Sequence, residues 1–186
     1  MTIRQGSIDH LCGIYSVLNA TEIVVGKYVV DRRMGHKSSQ RKTLFGELVA
    51  HLAAKNELEA ALTTGIDDVD AGLIDVAVKS VKTYQGQKMR KCPAFDTDWV
   101  PLDEYWTRLA THLEQPDSAA IICISGRREH WTCVKAVTDS ALVLADSNGM
   151  KQIGRHDCAV GTEDRGMYSL WPTMTHLLSI IDVDVD

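Results

Sequence analysis

The chain contains no apolar run close to the length of about 18–20 residues that a membrane-spanning helix needs. Residues 1–11 are polar and lack the apolar centre of a secretory signal. The net charge is −5, and the one basic cluster, within 32–42, is interleaved with Ser and Gly. That cluster is typical of a solvated loop rather than a phosphate-binding patch. We therefore expect a cytoplasmic protein, or alternatively a delivered effector, with neither a membrane nor a nucleic acid as its partner.

The cysteines are scattered along the chain, and their spacing indicates no pairing. The five cysteines include no CxxC pair, and they are Cys12, Cys92, Cys123, Cys133 and Cys158. An odd number without such pairs suggests neither a disulfide framework nor a structural zinc site, and it suits a reducing compartment. With 186 residues, 45% apolar and 24% charged, the chain fits one globular domain over residues 1–186.

Hydrophobic periodicity divides the chain into a helical first part and a β-rich second part. Helical spacing predicts helices over 12–25, 44–55 (capped by Thr43), 67–82 and 103–113, with loop and a possible short strand over 83–100. Strands are predicted over 119–124, 131–137, 141–145, 150–153, 168–171 and 177–183, the fifth stopped by Pro172, although 175–181 could equally be a helix. This order indicates an α+β fold with an antiparallel sheet in the second half.

Cys12 is the candidate nucleophile because it opens the first helix. A helix N-terminus carries partial positive charge and free N–H groups, which favour a thiolate. Gly13 leaves room for a substrate beside the thiol, and Gln5 lies close enough upstream to donate to an oxyanion together with the Cys12 N–H. The alternative is that Cys12 is a buried apolar filler and Gln5 a surface residue.

His130 is the candidate base. It begins the strand 131–137 after the charged turn 126–129, and Asp146 closes the strand 141–145. If these strands form a hairpin, Asp146 can accept the Nδ1–H of His130 and turn Nε2 toward Cys12. Asp146 could also be only the first residue of the turn at Ser147-Asn148-Gly149. The remaining histidines, which lack such a carboxylate, are His10, His36, His51, His112, His156 and His176.

Together, Gln5, Cys12-Gly13 at a helix start, His130 and Asp146 resemble the Gln–Cys–His–Asp/Asn arrangement of papain-like cysteine peptidases. The apolar strand before His130, the His-Trp step and the Asp-Ser turn are most similar to the compact bacterial members related to bacteriocin-processing, C39-like peptidases. The resemblance covers about residues 5–25 and 120–150. It implies a helical lobe with Cys12, a β lobe with His130 and Asp146, a cleft between them, and no metal or organic cofactor.

These observations lead us to expect a thiol hydrolase that cleaves an amide bond in a peptide or protein substrate. Gln5 donates a hydrogen bond to the oxyanion, and Gly13 and Trp131 contact the substrate. The same residues would also suit a deamidase, an acyl transferase or a peptidoglycan amidase, and the fold could instead serve a non-catalytic binding module. The sequence predicts no particular substrate or oligomeric state.

Overall fold

A computed structural model describes residues 2, 10–26, 44–65, 72–85, 87–127, 129–161 and 167–181. Several features predicted from the sequence lie outside these ranges, namely Gln5, the basic cluster within 32–42, the Thr43 cap, residues 67–71 of the third predicted helix and the end of the last predicted strand.

The described helices are α1 (Cys12–Val25), α2 (Leu44–Ala54), α3 (Leu58–Thr63), α4 (Leu73–Gln85) and α5 (Leu102–Leu113). Three of the four predicted helices are confirmed nearly to the residue. The fourth, predicted over 67–82, begins only at Leu73, because Gly72 takes a positive φ of 106° that a helix does not accept. The six residues of α3 are too few for a periodic signal, and that helix was not predicted.

The sheet is formed by β1 (Lys88–Pro93), β2 (Ser118–Gly126), β3 (His130–Val137), β4 (Ala141–Ala145), β5 (Gln152–Gly154), β6 (Cys158–Val160) and β7 (Tyr168–Ile181). Its strands lie in the order β1-β7-β2-β3-β4-β5, and these neighbours are antiparallel. Strand β6 pairs with β7 in parallel. The α+β class is therefore confirmed, although β1 lies between helices along the chain. None of the helices in the described ranges is long and apolar enough to cross a membrane.

Helices cover both faces of this sheet. Strand β2 turns Ala119 and Ile121 toward a core shared with α1, α2 and α4. The alternate residues Ala120 and Ile122 face a second core built with α5. A strand that is buried on both faces needs apolar residues at every position, which explains why the run 119–124 is continuous rather than alternating.

The prediction that a strand ends at Pro172 is wrong, because β7 continues to Ile181, and 175–181 is strand rather than helix. The proline instead marks a bulge. Ile122 pairs with Thr175 and Ile124 with Leu170, so that the single β2 residue Cys123 faces the four residues 171–174 of β7. Proline has no N–H to donate, and it is tolerated in a strand where no ladder hydrogen bond is required.

Candidate active site

Cys12 is the first residue of α1, as predicted, and its side chain is partly exposed. The helix is anchored by the buried side chains of Ile14, Val17 and Leu18, which fixes the position of its first residue. The first N–H groups of a helix have no carbonyl partner within the helix. Here the N–H of Tyr15 donates to the Leu11 carbonyl at 3.0 Å, and the N–H groups ahead of it form the positive end of the helix dipole.

His130 and Asp146 are brought together by the β3–β4 hairpin. Cys133 pairs with Ala145, so the residue after β4 returns to the end of the sheet where β3 begins. His130 Nε2 lies 2.5 Å from Asp146 Oδ1, and both side chains are buried, with 4% and 0% of their surfaces exposed. The predicted pairing is thus present in the structure.

The ring nitrogen in this contact differs from the predicted one. We expected Asp146 to accept from Nδ1, whereas it lies against Nε2. Nε2 is farther from the backbone than Nδ1, and it can therefore reach across the hairpin from β3 to the residue that follows β4. This leaves Nδ1, on the backbone side of the ring, as the nitrogen that can serve Cys12, which lines the same cavity and lies near enough to raise the pKa of the imidazole.

The two partners of His130 change its protonation. Burial disfavours the imidazolium, but hydrogen bonds and charge interactions with Asp146 and Cys12 outweigh burial and raise the pKa of His130 to about 9. Burial also opposes ionisation of Asp146. The hydrogen bond and charge of His130, together with the Met150 N–H, nevertheless hold the pKa of that carboxyl below its ordinary value. At neutral pH the imidazole of His130 is therefore protonated beside the Asp146 carboxylate.

One side of this group of residues opens onto a cavity of about 330 Å³, which Asp146 does not line. Cys12, His130 and Trp131 line it, and Trp131 is itself almost fully buried, its ring stacked on that of His176 with centroids 6.2 Å apart. Gly13 is described by the structure, but it does not line this cavity. It is buried, and its carbonyl accepts from the hydroxyl of Ser16 at 2.7 Å. The volume lies near the lower end for ligand pockets.

The cavity also contains residues that the sequence did not single out as site residues. His10 lines it, although this histidine lacks a carboxylate like the one that singled out His130 in the sequence. Ser125 and Met174 would have followed from strand alternation together with the bulge in β7, but the bulge is not readable from the sequence. Thr64 and Gly65, which follow α3, carried no signal at all.

Within the described parts of the chain, no group of three or more His, Cys, Asp or Glu side chains could hold a metal ion. A scan against protein-family models and a search of the curated proteins each found no match to the chain.

Proposed function

We propose that this protein is a thiol hydrolase of papain-like fold, akin to C39-like peptidases, that cleaves an amide bond in a peptide. Cys12 is the nucleophile, His130 the proton carrier and Asp146 the residue that orients it. The observation that supports the proposal is that His130 Nε2 lies 2.5 Å from Asp146, while His130 and Cys12 line one cavity and Cys12 helps to raise the pKa of the imidazole.

The arrangement supports nucleophilic catalysis by a thiol. The Cys12 thiolate attacks the amide carbonyl carbon, and the carbonyl oxygen becomes an oxyanion. Protonated His130 then gives its proton to the amide nitrogen, the C–N bond breaks, and an acyl-thioester remains on Cys12. Neutral His130 next takes a proton from water, whose oxygen attacks the thioester and releases the acid and the thiol. The pKa of about 9 keeps His130 protonated for the first of these transfers.

The oxyanion needs hydrogen-bond donors that are in place before the reaction. The backbone N–H groups of the first turn of α1 are available on the side of Cys12, because the helical hydrogen bonds begin at Tyr15. We propose the side-chain amide of Gln5 as the second donor. The proposal for Gln5 depends on its spacing from Cys12, since Gln5 lies outside the described residues.

A proteome-wide search for products tests the reaction. A cell lysate is incubated with the protein and, in parallel, with the Cys12→Ala variant, and both samples are analysed by mass spectrometry for new peptide N-termini. We expect new termini only with the unmodified protein. They should share residues near the cut, since a cavity of about 330 Å³ selects among side chains.

The same spectra distinguish the other reactions that Cys12, His130 and Asp146 could catalyse. Glutamine converted to glutamate without new termini would indicate a deamidase, and an amine added at a glutamine or a carboxyl group would indicate an acyl transferase. Spectra identical to those of the Cys12→Ala sample would contradict a peptidase and favour a non-catalytic module.

A further inference from the structure

We propose that Thr132 is a positioning residue of this site, whose hydroxyl donates a hydrogen bond to the Asp146 carboxylate and holds it where it orients His130. The inference deepens the proposed function and rests on it. It gives the carboxylate a third donor, in addition to the ring of His130 and the backbone N–H of Met150.

The register of the β3–β4 hairpin places Thr132 across from Asp146. Cys133 pairs with Ala145, and the same register, continued by one residue on each strand, sets Thr132 opposite Asp146. Directly opposed side chains of an antiparallel pair lie on one face of the sheet, with Cβ atoms roughly 4.5–5.5 Å apart. His130, two residues before Thr132, shares that face and is diagonal to Asp146. The carboxylate is therefore flanked by both side chains.

The hydroxyl of Thr132 is buried and needs a partner. Thr132 is 1% exposed, and its Oγ1 has no hydrogen-bond partner among the described residues in this conformation. Almost all buried hydroxyl groups in native proteins are hydrogen-bonded, because an unpaired one has lost its water without compensation. The hydroxyl proton can rotate about its bond to the side chain, and the acceptor directly opposite it is the Asp146 carboxylate.

The carboxylate has room for this donor. Its Oδ1 lies 2.5 Å from His130 Nε2, and its Oδ2 accepts from the Met150 N–H at 2.9 Å. A carboxylate offers about four lone-pair sites, so that two donors leave some of them open. Thr132 also contributes to holding the pKa of Asp146 below its ordinary value. That contribution agrees with a hydroxyl that donates to the ionised form.

The donor matters most while His130 changes its charge. When His130 gives its proton to the leaving nitrogen, the carboxylate no longer faces a cation, and burial then opposes its ionised form. The Thr132 hydroxyl and the Met150 N–H are neutral donors that take no part in the proton transfer. They therefore keep Asp146 ionised and in place throughout the reaction, so that His130 returns to the same orientation.

Three substitutions of Thr132 separate the hydroxyl from the rest of the side chain. Thr132→Val keeps the shape and replaces the hydroxyl with a methyl group, whereas Thr132→Ser keeps the hydroxyl. A synthetic peptide that spans a cut site found in the lysate serves as substrate. We expect kcat to fall about tenfold in Thr132→Val with an unchanged KM, the scale of one hydrogen bond to a charged group. Thr132→Ser should stay within about threefold of the unmodified protein.

Two measurements report on the hydrogen bond without relying on activity. In NMR titrations of the carboxyl carbon, the pKa of Asp146 should rise in Thr132→Val and stay unchanged in Thr132→Ser. The urea midpoint should fall in Thr132→Val, because a buried charge loses a donor. A hydroxyl that is truly unpaired would give the reverse, since its replacement by a methyl group removes an unsatisfied polar atom. If the valine variant does not fold, Thr132→Ala against Thr132→Ser repeats the comparison.

The outcomes distinguish this inference from the proposed function. A raised urea midpoint with an unchanged Asp146 pKa in Thr132→Val would overturn the hydrogen bond, and equal losses of kcat in the valine and serine variants would overturn the role of the hydroxyl. Both results leave the proposed function standing. If the unmodified protein cuts no peptide in the lysate and iodoacetamide labels Cys12 no faster than Cys92, the proposed function and the role of Thr132 are overturned together.

Discussion

The backbone N–H of Met150 donates to Asp146 Oδ2 at 2.9 Å, while Oδ1 of the same carboxylate lies 2.5 Å from His130 Nε2. Both oxygens of Asp146 therefore have an N–H partner, one in the turn after β4 and one across the hairpin. The turn holds the carboxylate in place, and the carboxylate in turn holds the imidazole. Asp146 is thus both a turn residue and a partner of His130, and the two interpretations of this residue are compatible.

We predict that Asp146→Asn lowers activity moderately and that Asp146→Ala loses most of it. Asparagine has one carbonyl oxygen in place of two carboxylate oxygens. It can accept from His130 or from Met150, but its NH₂ group must then face the other N–H. The Asn variant should also lower the free energy of unfolding by about 1–3 kcal/mol, the cost of a buried donor left unsatisfied. Peptide hydrolysis and urea unfolding measure the two effects.

The pKa of His130 provides the control for this series. Removing the negative charge of Asp146 should lower that pKa in both variants, which NMR titration of the imidazole C–H signals detects. Asn and Ala variants that are both as active as the unmodified protein would show that Asp146 has no role in orienting His130.

Substitution of Cys12 should abolish hydrolysis while changing the free energy of unfolding little. Cys12→Ala removes a partly exposed side chain at a helix start, and we expect the free energy of unfolding to change by less than about 1 kcal/mol. Hydrolysis should be abolished. Cys12→Ser should also be almost inactive, because a hydroxyl is far harder to ionise than a thiol. Steady-state assays and thermal unfolding check both variants, and hydrolysis retained by the alanine variant would be incompatible with a thiol mechanism.

Gln5→Ala should lower kcat by roughly 10²-fold, the usual scale for the loss of one oxyanion donor. The KM should change little, because the donor serves the transition state more than the bound substrate. Initial-rate kinetics over a range of substrate concentrations separate the two constants. A rise in KM with an unchanged kcat would make Gln5 a substrate-binding residue instead.

The pH dependence follows from His130. Its pKa is raised to about 9, so the imidazolium persists through neutral pH and is lost as the pH rises through that value. We expect kcat/KM to fall on the alkaline side near pH 9, and to fall on the acid side where the thiolate–imidazolium pair no longer forms. A rate that rises steadily to about pH 10 would exclude His130 as the proton carrier.

The free energy of unfolding should also depend on pH through His130 and Asp146. Because the pKa of His130 is raised, its contribution is complete below the ordinary value of 6.5 and is lost as the pH rises through about 9. Because the pKa of Asp146 is lowered, its contribution is present above its ordinary value and is lost as the pH falls through the lowered one. Urea unfolding from pH 6 to 10 should therefore show a decline that His130→Ala reduces.

Much of the fold could be predicted because its signals are local. The apolar stripe of α1 and the continuous apolar run of β2 each report which faces are buried, and they predicted both elements correctly. The hairpin that joins His130 to Asp146 followed from two β-rich runs and a short turn. That hairpin predicted the pairing of the histidine with the aspartate, whereas the link from Cys12 to His130 followed from the resemblance to papain-like peptidases.

What was missed depends on contacts between distant segments. A proline in a regular ladder leaves a hydrogen bond unmade, and the sequence therefore predicts a strand end at Pro172. In the structure Pro172 lies in the four-residue bulge, where no ladder hydrogen bond is needed. The choice of Nε2 over Nδ1 depends on how far apart β3 and β4 place the two side chains, which no residue pattern encodes. The possible short strand predicted within 83–100 is β1. Its bounds could not be predicted because its alternation is weak and its partner β7 is distant in the sequence.

The most direct test of the account is the rate at which each cysteine reacts with iodoacetamide at neutral pH. Cys92 and Cys123 are partly exposed like Cys12, so a difference in rate would not reflect exposure alone. We predict that Cys12 reacts at least about tenfold faster than either, and that His130→Ala brings its rate down to theirs, because an adjacent imidazolium stabilises the thiolate. Equal rates for the three cysteines, or a Cys12 rate unaffected by the loss of His130, would contradict the proposed catalytic pair.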